Sequence, residues 1–116
     1  PAYQLAQGIR DRAFSSVEVF DAHLAHIAKH NPKLNAIVTL NEAQARQQAI
    51  SADEALARGE SWGLLHGVPF TCKDLYATAG VRTTCGYEPL ANYIPPNDAT
   101  VVARVRAAGA ILLGKT

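Results

Sequence analysis

Apolar residues recur along this chain at two different spacings, and the spacing changes from element to element. Tyr3, Leu5, Ala6 and Ile9 suit a short helix over residues 3–10. A longer helix follows, in which Val17, Phe20, Leu24 and Ile27 recur every three or four positions and make one apolar stripe. Ser15 or Ser16 can cap it, and Ser15-x-x-Glu18 has the form of a capping box, each partner satisfying a backbone N–H of the other. Asn31-Pro32 is predicted to stop this helix, because proline offers no N–H and clashes with the preceding turn. Ala36–Leu40 then predicts a short buried strand. Asn41 opens an alanine-rich helix running to about Arg58, with a Glu54/Arg58 pair at i,i+4 and Gly59 as its stop.

Glu60 to Leu65 looks irregular, and a β-prone run from His66 ends at Lys73. Ala77 to Asn97 is rich in Thr, Gly, Pro and Tyr and predicts a long ordered loop, a place where function often resides. Asp98 suits the N-cap of a helix over Ala99–Ala108, with Val101, Val105 and Ala108 on one face. Gly109 closes that helix, and Ala110–Leu113 predicts a buried strand with nothing beyond it to provide cover.

Helices alternating with apolar strands predict an α/β/α layered fold with a mixed, largely parallel sheet. Three strands are visible where about five or six are typical, so an incomplete sheet is expected. A length of 116 residues suits one small domain. Hydrophobic residues at 48% and charged residues at 18% predict an ordered chain rather than a disordered one. The net charge of +1 excludes a strongly basic footprint, so no nucleic-acid partner is expected. No apolar run is long enough to span a membrane, and no leader-like segment opens the chain, which starts at Pro1 without a methionine. Cys72 and Cys85 make no disulfide framework and are expected as two reduced thiols in a cytoplasmic protein.

Four groups of residues could carry chemistry. Gly109 to Thr116 fits the phosphate-binding pattern G-x-x-x-x-G-K-T by letter. Its four inner residues are apolar and strand-forming, however, and a helix precedes the motif instead of following it, so nucleotide binding is disfavoured. His23, His26 and His30 lie along one helix edge at metal-ligand spacing, but no carboxylate or thiol joins them, and a solvated flank is the expectation. His66 stands alone and is expected to be structural. Thr83-Thr84-Cys85-Gly86-Tyr87 is expected to form a hydrogen-bonded turn walling a pocket, since no histidine is evident to activate Cys85. Lys73 is read two ways: as a solvated strand-end cation paired with Asp74, or as a base at the end of a sheet strand, where ligands of α/β proteins collect.

Leu65-His66-Gly67-Val68-Pro69-Phe70-Thr71-Cys72-Lys73-Asp74, with Ala79–Gly86, Asp98–Val102 and Ala108–Thr116, resembles the amidase signature family. Ser16-Val17-Glu18 and Asn31–Ala36 are similar to that family's N-terminal helices. The resemblance implies cleavage of a small-molecule or acyl carboxamide by a Ser–cis-Ser–Lys triad, without a cofactor, and Lys73 matches the lysine. Such a lysine acts as general base through a bridging serine on a nucleophilic one. Ser15, Ser16, Ser51 and Ser61 do not stand in the family's Gly/Ser-rich context. Residues 1–116 are therefore expected to be the N-terminal portion of one amidase domain, stopping before the serine segment and inactive alone. A free lysine ionises near pH 10.4, so making it half-neutral at pH 7 requires about 4 kcal/mol, which only a closed pocket supplies. The alternative is a non-catalytic folding or assembly module that self-associates through exposed sheet edges.

Overall fold

The computed structural model describes residues 1–116. Helix α1 (Ala2–Arg10) buries Ala6 and Ile9. Helix α2 (Ser16–Leu34) begins with the expected capping box: the Ser15 hydroxyl accepts from the Glu18 N–H at 3.0 Å, and the Glu18 carboxylate accepts from the Ser15 N–H at 2.7 Å. The bonds from Ser15 hold the Glu18 carboxyl below its usual range. Asp53 reinforces the same end from across the fold, accepting from the N–H groups of Ser16 and Val17 at 2.7 and 3.1 Å.

Pro32 does not stop α2. The helix carries the proline through its last turn and ends at Asn35, which adopts the left-handed conformation. Asn31 braces the segment that follows. Its amide donates to the Ile37 carbonyl at 3.1 Å and accepts from the Ile37 N–H at 2.8 Å, folding the following segment back on the last turn. The Asn35 N–H also bonds the Asn31 carbonyl at 2.7 Å.

The predicted strand Ala36–Leu40 shrinks to β1 (Thr39–Leu40), and it is not buried: Leu40 is exposed. β1 lies at a sheet edge, where only one side finds a partner. Helix α3 (Glu42–Ala57) follows, and Gly59 takes the positive φ of +80° that its end requires. Arg58 pairs with Glu60 instead of Glu54, because the helix has already ended and the next turn brings Glu60 to the guanidinium.

β2 (Pro69–Cys72), α4 (Thr100–Ala107) and β3 (Ile111–Lys115) form a strand–helix–strand crossover. Strand order is β1-β3-β2. β3 runs parallel to β2 over four residue pairs and antiparallel to β1 over two, so the sheet is mixed and mostly parallel. β3 is therefore the central strand, and all five of its residues are buried, not left uncovered. Phe20 from α2 and Ala45, Ala49 and Ala52 from α3 pack on Ile111 and Leu113. The alanines permit a close helix–sheet approach, and Phe20 supplies the bulk; burial of such a ring is worth roughly 1.5–3 kcal/mol. The other face of the sheet packs Cys72 and Leu112 on Val81 and Val102. Three layers result.

Two further expectations fail at α4. Asp98 does not cap it. Its carboxylate accepts from the Ala79 N–H at 2.7 Å and pairs with Arg106 at 3.3 Å, so loop anchoring takes precedence over capping. The inward face carries Val102, while Val101 is exposed, a rotation of one position that follows from the helix starting at Thr100.

Candidate functional site

The parallel pair β2–β3 ends at Cys72 and Lys115, and beyond these carboxyl ends the chain opens into a cleft. The ladder continues there without strand geometry: the Thr116 N–H donates to the Cys72 carbonyl at 2.9 Å, and the Asp74 N–H to the Thr116 carbonyl at 2.7 Å. Lys73 is thereby held alongside Thr116. Its side chain is exposed and lines a cleft of about 330 Å³ with Val38, Asp74, Thr84, Cys85 and Gly86. A second cleft of about 230 Å³, against Tyr76, Val101 and Val105, shares Lys73.

Asp74 does not pair with Lys73. Its carboxylate turns inward, is buried, and accepts from the N–H and hydroxyl of Thr84. The 83–86 segment is thus the expected hydrogen-bonded turn and does wall the cleft, with Cys85 in the left-handed conformation and its thiol exposed. No serine lines either cleft. Ser16 lies elsewhere, fully buried, with an unpartnered hydroxyl packed where Gly67 leaves room: a Cβ on Gly67 would meet that oxygen at 1.9 Å.

No group of three metal-ligating side chains comes together around the histidines of α2. His23 donates from Nδ1 to the Val19 carbonyl at 2.7 Å, and the rings of His26 and His30 lie 4.4 Å apart. His66 is fully buried and accepts from the Trp62 N–H at Nδ1, which leaves the proton on Nε2 to donate to the Ala52 carbonyl at 3.0 Å. It is a structural tie between α3 and the segment before β2. The Gly109–Thr116 motif forms a turn and a buried strand, with Gly109 at φ +94° closing α4, so its backbone wraps nothing.

Lys115 is the residue that sequence reasoning passes over. It is fully buried, and its ammonium donates to the Tyr76 carbonyl at 2.6 Å and to the hydroxyls of Thr78 and Thr83, each at 2.9 Å. Burial pushes it down from the ordinary lysine range, and raises the neighbouring Cys72 thiol. The available signal is a lysine two residues beyond an unbroken apolar strand, the same signal that marks Lys73.

The three-layer α/β fold with a cleft beyond the carboxyl ends of its parallel strands gives the architecture, and the sequence gives the family. The amidase family profile matches residues 18–116, and the chain belongs to that family, the amidase signature enzymes. It is 49% identical over 113 residues to one of the subunits of the glutamyl-tRNA(Gln) amidotransferase of Pseudomonas fluorescens, covering 97% of this chain and 23% of that protein. Among solved structures, it is similar to the peptide amidase of Stenotrophomonas maltophilia (TM-score 0.89, 33% identity, 99% of this chain and 24% of that one). A bacterial aryl acylamidase of the amidase signature family matches with TM-score 0.92 and 27% identity, over 99% of this chain and 24% of that one. The chain thus spans about a quarter of the length of the relatives it matches.

Proposed function

We propose that these residues form the N-terminal portion, 1–116, of a single amidase domain, and that Lys73 is the general base of its amide-cleaving site. The observation that carries this reading is the position of Lys73 beyond the carboxyl end of β2, at the mouth of the 330 Å³ cleft. Ligands of open α/β sheets collect at that end of the strands. In the proposed reaction, which requires the rest of the domain to close the cleft over the exposed Lys73, the Lys73 amine takes a proton from a bridging serine, which takes one from a nucleophilic serine. The serine oxygen attacks the carboxamide carbon, the C–N bond breaks, and the returned proton leaves with the amine. Water or an amine acceptor then resolves the ester. No serine lines either cleft, and we assign both serines of this scheme to the part of the relatives' length that this chain does not span, with residues 1–116 alone inactive in the proposal.

The substrate is a small-molecule or acyl carboxamide. The likeness to a peptide amidase and to part of an amidotransferase leaves two fates of the acyl group in play, release to water and transfer to another acceptor. No helix is long and apolar enough to cross a membrane; we place the reaction in the cytoplasm on the likeness to the bacterial amidotransferase subunit. Hydrolysis of simple amides by full-length protein carrying Lys73→Ala tests the assignment. General base catalysis contributes about 100-fold or more, so activity within about tenfold of wild type would refute it.

A further inference from the structure

Lys115 has no carboxylate within ion-pair distance, although it is fully buried. An ammonium has three donors, and all three are used on neutral oxygens: one carbonyl and two threonine hydroxyls. A buried cation so placed is costly, and a leucine or methionine would fill the volume without that cost.

The sheet is built to deliver it there. Pairing runs Pro69↔Ile111 and Phe70↔Leu112, then skips to Thr71↔Gly114 and Cys72↔Lys115. Leu113 is the extra residue of a β-bulge in β3. Under strict alternation Lys115 would share the face of Ile111 and Leu113, the one packed on α2 and α3. The bulge moves it to the face of Cys72 and Leu112, under the loop that contains Thr78, Val81 and Thr83.

That loop leads straight to the cleft. The Thr83 hydroxyl donates to the Val81 carbonyl at 3.1 Å and meets the Thr78 hydroxyl at 3.0 Å. The next residue, Thr84, holds the carboxylate of Asp74, and the Asp74 carbonyl accepts from the Cys85 N–H at 3.1 Å. Asp74 directly follows Lys73. We propose that Lys115 is a positioning residue of the amidase site: its ammonium fastens residues 76–83, which fix Thr84 and Asp74 and so hold the cleft wall against Lys73. This rests on the reading of Lys73 as the base.

The test is Lys115→Met in the full-length protein, measured well below the melting temperature of the variant. Loosening a cleft wall by about 1 Å lowers kcat by about 100-fold, and little change in KM is expected. The amides of Thr83, Thr84 and Cys85 exchange faster, while those of α2 and α3 keep their protection. The limb of the pH–rate profile set by the base is retained. Wild-type exchange in the loop, or unchanged kcat with only a lower melting temperature, overturns the proposal. So does loss of the pH limb, which would make Lys115 itself the proton acceptor. If Lys115→Met fails to fold, Thr83→Val and Thr83→Ser replace it, the first expected to reproduce the loss and the second to retain activity by restoring the hydroxyl. Equal behaviour of the two again overturns it. Should the wild-type protein cleave no amide, the reading of Lys73 falls, and loop exchange alone decides the role of Lys115.

Discussion

Lys73 and Lys115 stand at the ends of neighbouring strands and meet opposite environments. Lys73 runs alongside Thr116 and is exposed, while Lys115 pairs with Cys72 and is fully buried. Lys73→Ala is expected to change stability by less than about 0.5 kcal/mol, as for other surface positions, so its effect on turnover can be read without a folding correction. Lys115 is linked to pH. With its ionisation pushed below the ordinary 10.5 by burial, the unfolded chain holds more protons than the folded one between the folded value and 10.5. Stability therefore rises with pH across that alkaline window. Urea denaturation should show the wild type gaining on Lys115→Met as pH increases through it; a shrinking difference contradicts the burial argument. The cysteines give a third residue-level prediction. Cys85 is exposed, whereas Cys72 is buried with its thiol pushed up, so a thiol reagent should modify one cysteine per chain quickly and the second only on unfolding.

The start of α2 illustrates how an element draws on distant sequence. Ser15→Ala removes one half of the capping box and should cost about 1 kcal/mol in denaturant titration. Asp53 caps the same helix from α3, 36 and 37 positions along the chain, and no local pattern announces it. Gly114 has a comparable hidden role. A Cβ there would meet the Thr39 carbonyl at 2.7 Å, so Gly114→Ala should push β1 off the sheet edge and raise amide exchange at Val38 and Asn41 while sparing β2. The misplaced contacts differ in reach. Sequence assigns Asp98 the role of a cap, and folding brings it instead to Ala79 and Arg106, whereas Arg58 takes Glu60, two positions on, because α3 has already ended.

At the scale of the whole molecule, the chain presents more apolar surface than three packed layers require. Leu64 is 82% exposed, and Tyr87, Ile94 and Leu75 are more than half exposed around the clefts and the long loop. With about a quarter of its relatives' length present, such surface and the open outer edges of β1 and β2 favour pairing. Light scattering of the isolated 116-residue chain should show a mass that rises with concentration; a strictly monomeric chain at high concentration argues against association through these edges.

The sequence by itself determined the layered α/β class, the capping box of α2, the helix stops at Gly59 and Gly109, the turn at Thr83–Gly86 and the kinship carried by the block around Lys73. These rest on short-range periodicity, on backbone conformations that few residues tolerate, and on contiguous motifs. Only the tertiary structure decided that β3 is central, that Leu113 forms a bulge and that Lys115 is the buried cation of the pair. Both lysines follow an apolar strand, and nothing local separates them. One extra residue in the register reverses the face on which a side chain emerges, and register is settled between strands that lie some forty residues apart.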